Sequence, residues 1–317
     1  MLRFGKIPPS AVSPRKAGPG LRLNDTPGRK TISASCEMDH LQAWVGRSRT
    51  FADIVSGGPV AGLHAMLDRG EAPIPARGAP IPPLAHWYFG LPHVTQGALG
   101  PDGLQAKDSF SPPVPLPRRM WAGGRIRFHH PLRVGDDVTQ TATIAKIEPK
   151  FGRNGALVFV TTRFEMANAQ GVAVTDEIDG VFREAARPDE AARPPVMAPT
   201  DETFRRTVEM DVVKLFRYSA ITFNGHRIHY DRPWATEVEG YPGLVVHGPL
   251  IATLLADLFC GQFGADRLAS FEFKALSPLF DTHPFQICGR QDSDGVVSLW
   301  TRGYDGAMSM MCKATMR

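Results

Sequence analysis

The chain predicts an α+β fold made of two fused halves, each a helical region followed by an antiparallel sheet. Three observations predict it. Apolar and polar residues alternate with period two in runs only a few residues apart, too close for the dozen-residue crossovers of a parallel sheet. The order of helical region and then strands occurs twice, over about 38–187 and 201–317, on either side of a proline-rich linker at 188–200. Finally, Phe128-His-His-Pro131-Leu132 is echoed by Phe273-Lys-Ala-Leu-Ser-Pro278-Leu279, each at the end of the first strand after its helical region.

Residues 1–37 carry five prolines, several glycines and scattered Arg and Lys without a period of 2 or 3.6, so no packed element is expected there. They read as a disordered tail or as an over-extended start ahead of Met38, the latter being the preferred reading. Val60 to Asp68 predicts a short helix, with Pro59 suited to its first turn. Residues 71–117, rich in Pro and Gly, predict irregular chain around an apolar patch at Leu84 to Phe89. Strands are expected at Arg125–Phe128, Asp137–Ile147, Leu157–Met166 and Val172–Glu184, with Gly152-Arg153-Asn154-Gly155 as a hairpin turn.

In the second half Asp211 is placed to cap a helix carrying Val212, Val213, Leu215, Phe216 and Ala220. A loop follows from Phe223 to Val246. Leu250, Ile251, Leu254, Leu255, Leu258 and Phe259 then recur at helical spacing over a broad face, which predicts a deeply buried helix. Strands are expected at Leu268–Leu276, Pro284–Asp292, Val296–Tyr304 and Ala307–Met316, with Asp305-Gly306 as a turn.

Composition bounds the function. The 317 residues include 36 Lys+Arg and 32 Asp+Glu, a net charge of +4, which argues against an obligate nucleic-acid binder. A hydrophobic content of 43% excludes disorder of the whole chain. No apolar run reaches the length of a membrane-spanning helix, and no membrane partner is expected. Cys36, Cys260, Cys288 and Cys312 form no CxxC pair, so free thiols in a reducing compartment are expected, and no metal site.

The densest cluster of reactive side chains is Asn224-Gly-His226-Arg227-Ile-His229-Tyr230-Asp231-Arg232-Pro233, between a short helix and the buried one. Val245-Val246-His247-Gly248-Pro249 then enters that buried helix, whose first amides lack intrahelical partners and carry the positive end of its dipole. A histidine base beside such an amide suits chemistry in which a thioester oxygen gains negative charge.

These residues resemble the MaoC-like hydratases and dehydratases of the hot-dog fold. The family pattern is a helix, Gly-Asp-x-Asn-Pro-Leu-His-x-Asp, and an apolar helix opening with Val-x-His-Gly-Met-Leu. The spelling here is similar to the subgroup of hydroxyacyl-thioester dehydratase type 2 and mesaconyl-C(4)-CoA (3-methylfumaryl-CoA) hydratase. Leu116 to Gly124 and Pro131 to Asp136 extend the resemblance over about 38–317. It implies a double hot-dog, each half a curved sheet wrapped around a helix, with one active site in the second half and a first half without catalytic residues.

The implied reaction is reversible hydration of an enoyl-CoA, with mesaconyl-C(4)-CoA to citramalyl-CoA first and a 3-hydroxyacyl-thioester dehydratase of fatty-acid synthesis as the alternative. A non-catalytic acyl-thioester-binding module is the rival of another class. Catalytic roles fall on His229, Asn224 and Gly248, and substrate-binding roles on His226, Arg227, Arg217, Arg232 and His247. One departure matters: Asn224 stands where the family has its catalytic Asp, and Asn cannot take a proton near pH 7. His229 is therefore expected to carry the proton, and the Gly248 amide to hold the enolate-like oxygen. Arg118 and Arg119 are readable as CoA-phosphate contacts or as a solvated stretch. No cofactor is expected, the CoA thioester being the substrate. A homodimer and a cytoplasmic location, or the mitochondrial matrix in a eukaryote, accord with the resemblance.

Overall fold

The computed structural model describes residues 38–106, 108–152, 155–184 and 194–317; the expected tail at 1–37 and the linker residues 188–193 lie outside the described residues. The first half contributes β1 (Ser48–Ile54), α1 (Gly57–Met66), β2 (Arg118–Phe128), β3 (Asp137–Gly152), β4 (Gly155–Asn168) and β5 (Gly171–Arg183). The second contributes β6 (Phe204–Val208), α2 (Val212–Ile221), α3 (Gly248–Phe263), β7 (Leu268–Ala275), β8 (Phe285–Ser293), β9 (Val296–Arg302) and β10 (Met310–Met316).

All ten strands form one antiparallel sheet in the order β1-β3-β4-β5-β2-β7-β10-β9-β8-β6. The halves meet where β2 pairs with β7, from Gly123 opposite Lys274 to Arg127 opposite Ser270. Each half thus supplies five strands, and a single apolar cluster runs through both. This is the expected double hot-dog architecture.

α3 is the central element. Leu250, Ile251, Leu254, Leu255 and Phe259 are each at most 3% exposed, and burial of such a side chain contributes about 1.5–3 kcal/mol. Asp257 on this helix is matched by Arg206 of β6 at 2.8 Å and by Arg69 just beyond α1, so the one acidic group of the apolar stretch is charge-compensated. The first half encloses less helix: α1, which packs on α2, and short 3-10 turns at His40–Trp44, Ala85–Tyr88 and Gln96–Ala98, the last two within the largely irregular 67–117 segment. Leu84, Ala85, Tyr88 and Phe89 fill the core there.

Three differences from expectation concern the strands. β1 and β6 were not expected, and β2 begins at Arg118 instead of Arg125. β1 and β6 are the two edge strands, exposed along much of their length, with no apolar alternation for a period-two reading to find. The start of β2 is charged at Arg118 and Arg119 and interrupted by Gly123 and Gly124, poor strand formers that pairing with β5 holds extended.

α2 is closed at both ends by local hydrogen bonds. Asp211 Oδ1 accepts from the Val213 and Lys214 amides at 2.8 and 2.9 Å, as its sequence position predicts. At the other end Asn224 N donates to Ser219 O at 2.8 Å and Phe223 N to Ala220 O at 3.3 Å, the two bonds of a Schellman turn. Phe223 takes the left-handed position of that turn, φ 49°, where glycine is usual.

Replacement of Asp211 by Ala is expected to destabilise the protein by about 1 kcal/mol, the usual worth of a helix N-cap. Urea denaturation of the two proteins measures it as a lower midpoint at unchanged slope.

Candidate active site

The Schellman turn at the end of α2 delivers Asn224 and starts the loop that carries His226 and His229. Asn224 Oδ1 accepts from the His226 amide at 3.0 Å, which leaves the side-chain NH₂ as its donor. A 3-10 turn over Arg227–His229 then buries His229 to 7% exposure. The His229 Nδ1 lies 2.7 Å from Val245 O. A carbonyl oxygen only accepts, so Nδ1 carries the proton and Nε2 keeps its lone pair.

The segment before α3 is pinned from both sides. Val245 N donates to Ile228 O at 3.0 Å, Val246 N to Leu279 O at 2.8 Å, and Leu244 N to Asp281 Oδ1 at 2.9 Å. His247, fully buried at the N-cap of α3, does not cap the helix with its side chain. Its ring stacks on His229, centroids 3.6 Å apart and 18° from parallel, and its Nε2 pairs with Ser219 Oγ at 2.8 Å. His226 meets His229 edge to face at 5.4 Å. His247 Nδ1 is buried without a hydrogen-bond partner among the described residues.

Gly248 is the first residue of α3, with Pro249 behind it. The Trp121 indole of β2 lies on it: a Cβ at Gly248 would sit 2.6 Å from the ring. Trp121 is itself stacked on Phe273 of β7, centroids 4.6 Å apart, so the strand pair that joins the halves also covers this helix start. The Gly248 amide belongs to the first turn, where no intrahelical acceptor is available. A second contact from the first half reaches the loop. Asp102 O accepts from Arg227 N at 2.8 Å, and Gly103, at φ 82°, packs so closely on Gly225 that a Cβ would fall 1.9 Å from its carbonyl oxygen.

Burial pushes the His229 imidazole down to about 4; the Val245 carbonyl opposes the shift and His226 adds to it. Burial, then the neighbouring His229 and His226, hold His247 well below its ordinary range. Burial lowers His226 in the same sense. The three rings are therefore neutral at pH 7, and the free Nε2 of His229 is a base.

The structure brings together His229, His226, His247, Asn224 and Gly248. It treats the three arginines differently. Arg232 is bound by both oxygens of Asp281. Arg227 is bound by Asp231 through Nε at 2.8 Å and Nη2 at 2.6 Å, donates to Pro101 O, and covers the Trp234 ring. Arg217 is exposed, about 200° around α2 from Ser219, away from the histidines. The expectation that these guanidiniums are available to a substrate carboxylate is met by matched charges in two cases and by a solvent-facing position in the third. The sequence alone did not single out Ser219 or the Asp102-Gly103 turn, and it gave Val245 no role in holding His229. Trp121 and Gly103 could have been found only through the contacts the fold creates.

The chain matches the family model described as hydroxyacyl-thioester dehydratase type 2 over residues 84–281. It is 41% identical to the mesaconyl-C(4)-CoA hydratase of Chloroflexus aurantiacus, over 84% of this chain and 95% of that protein. It is 26% identical to the mitochondrial hydroxyacyl-thioester dehydratase type 2 of Schizosaccharomyces pombe, over 74% of this chain and 88% of that one. In fold it is similar to a MaoC-like dehydratase of Phytophthora capsici, with TM-score 0.64 and 16% identity over 86% of this chain and 96% of that one. A Mycobacterium tuberculosis protein described as a double hot-dog gives TM-score 0.53 at 12% identity, over 86% of this chain and 96% of the other.

The histidine geometry sets two pH dependences. A neutral His229 is able to act as a base, and with it in that role kcat/KM is expected to rise with pH through an apparent pKa near 4 and to be flat above about 6. For stability the sign is the same. His229 titrates near 4 when folded and near the ordinary imidazole value of about 6.5 when unfolded, so between those values the unfolded chain binds the extra proton. Its contribution is undiminished above pH 6.5 and falls by about 1.4 kcal/mol per unit as pH drops toward 4. Denaturation midpoints between pH 7.5 and 4.5 are expected to show this slope, and His229→Gln to reduce it.

Proposed function

The chain belongs to the hydroxyacyl-thioester dehydratase type 2 family, and from that premise we propose that it is an enzyme that adds water reversibly across the double bond of an enoyl-CoA, with mesaconyl-C(4)-CoA hydrated to citramalyl-CoA as the first candidate. The observation that carries the reading is the neutral, buried His229 with its Nδ1–H spent on Val245 O and its Nε2 free, stacked against the residue that precedes the Gly248 amide.

In the hydration direction the thioester conjugation makes the β-carbon electrophilic. His229 Nε2 takes a proton as the water oxygen bonds to that carbon. The electron pair of the double bond moves toward the thioester oxygen, where the Gly248 amide, at the positive end of α3, stabilises the charge. The imidazolium then returns the proton to the α-carbon, so the water is fully consumed and the base is regenerated. Asn224 orients the water or the substrate through its NH₂; it replaces a carboxylate and cannot serve as a second base. Because Arg227 and Arg232 are already matched by carboxylates, Asn224 and His226 are the donors that the loop offers to a carboxylated acyl group.

In this reading the second half, from about 201 to 317, holds the catalytic groups, and the first, about 38–187, contributes the Trp121 cover and the Asp102-Gly103 wall. The reaction uses no cofactor, and the free enzyme is a homodimer in the cytoplasm or, as the name of the Schizosaccharomyces pombe relative suggests, in mitochondria. The alternative substrate, a 3-hydroxyacyl thioester, is favoured by the lower-identity relatives of that name. Assays of the purified protein with mesaconyl-C(4)-CoA, crotonyl-CoA and a 3-hydroxyacyl-CoA separate the readings. Highest kcat/KM with mesaconyl-C(4)-CoA is expected, and turnover of none of the three refutes the proposal.

His229→Ala is expected to lower kcat by about 10²–10⁴-fold with the fold retained, the usual worth of one acid/base group. Asn224→Asp is expected to shift preference toward crotonyl-CoA, because a second carboxylate in a partly desolvated pocket repels a carboxylated acyl group. Unchanged preference in Asn224→Asp, with an active His229→Ala enzyme, places the active site elsewhere.

A further inference from the structure

A cavity of about 450 Å³ lies at the opposite end of β2 from the histidines, within the size range of small-molecule sites. Trp121, which covers Gly248, and Phe128, which lines this cavity, stand seven residues apart on the strand, about 23 Å at the usual rise. None of His226, His229, Asn224, His247 or Gly248 lines it. It is therefore separate from the site described above.

Its floor is apolar and buried: Ile81, Leu84, Leu132 and Leu268 are each at most 9% exposed. Arg133, Arg317, His64, His86, His130 and Asp266 line the cavity; burial and the nearby Arg69 hold His64 below its ordinary range, so the fixed positive charges of the lining are the two guanidiniums. Arg133 Nη1 donates to Gly78 O at 2.9 Å and Arg317 Nη2 to Phe128 O at 2.5 Å. Those carbonyls position each guanidinium without neutralising it, and no described carboxylate forms an ion pair with either arginine. The wall is also held rigidly. Asp176, 1% exposed, accepts from Trp87 Nε1 at 2.6 Å and lies 3.3 Å from His86 Nε2, which fixes the ring that His86 presents to the cavity.

An apolar floor beneath two guanidiniums that no described carboxylate pairs favours one ligand chemistry. We infer that this cavity binds a small apolar carboxylic acid as its anion, with the hydrocarbon on Ile81, Leu84 and Leu132 and the carboxylate on Arg133 and Arg317. A guanidinium offers a carboxylate two parallel donors, a geometry that an alcohol or amine of the same length cannot use.

Isothermal titration of the full chain with hexanoate, and with hexan-1-ol as the uncharged control, tests the inference. Saturable hexanoate binding is expected, at least tenfold tighter than hexan-1-ol. Arg133→Gln and Arg317→Gln, both at exposed positions, are each expected to weaken hexanoate about tenfold and to leave the alcohol unchanged. His229→Ala is expected to bind hexanoate as the parent does. No saturable binding, equal affinity for acid and alcohol, or indifference to both arginine substitutions overturns the inference. Loss of hexanoate binding in His229→Ala also overturns it, since that result puts the acid in the hydratase site.

Discussion

The 2.7 Å bond from His229 Nδ1 to Val245 O is the constraint on which the site depends. It sets the tautomer, aims Nε2 and holds the buried ring in place. The carbonyl can do this because its own peptide is immobile: Val245 N is held by Ile228 O, and the residues on either side are tied to Leu279 and Asp281. Arg232 closes the same arrangement by binding Asp281. Arg232, which reads in sequence as a substrate contact, is thereby tied to the segment that carries Val245. A charge already matched in this way adds rigidity to the loop and little attraction for a substrate anion.

Stacking sets the electrostatics. Two imidazoles 3.6 Å apart in a buried site cannot both be charged cheaply, and desolvation disfavours a charge on either. The pair therefore stays neutral at physiological pH. Ser219 holds both ends of the arrangement, its hydroxyl on His247 and its backbone carbonyl on Asn224. A single residue on the inner face of α2 thereby couples the stacked pair to the turn that delivers the amide side chain.

The site lies in one half of the chain but is closed by the other. Trp121 occupies the space over Gly248, and Gly103 fits against Gly225 at a separation that no side chain tolerates. The Trp121 contact comes from β2, the strand that pairs with β7 and joins the halves. At the other end of the same strand pair the first half keeps a cavity of its own, lined by arginines that no described carboxylate matches. The two ends of β2 thus meet different surroundings, the helix start at Gly248 and the cavity at Phe128.

The sequence by itself determined the features that rest on local physics. Period-two runs marked the interior strands, the spacing of Leu250 to Phe259 marked α3, and Asp211 marked the start of α2, because each signal acts within a few residues. The cluster from Asn224 to Asp231 and the helix entry at His247-Gly248 were legible as a motif. Edge strands were not, since β1 and β6 bury too little to need an apolar pattern. Nor were the partners that give the motif its chemistry. Arg227 and Arg232 look the same in sequence whether free or matched; only tertiary structure sets Asp231 and Asp281 against them. Likewise only tertiary structure stacks His247 on His229, residues that stand 18 apart in the chain with no periodicity to link them. The reason is physical: a protonation state or a free charge depends on distances of a few ångströms between groups that the chain brings together only by folding.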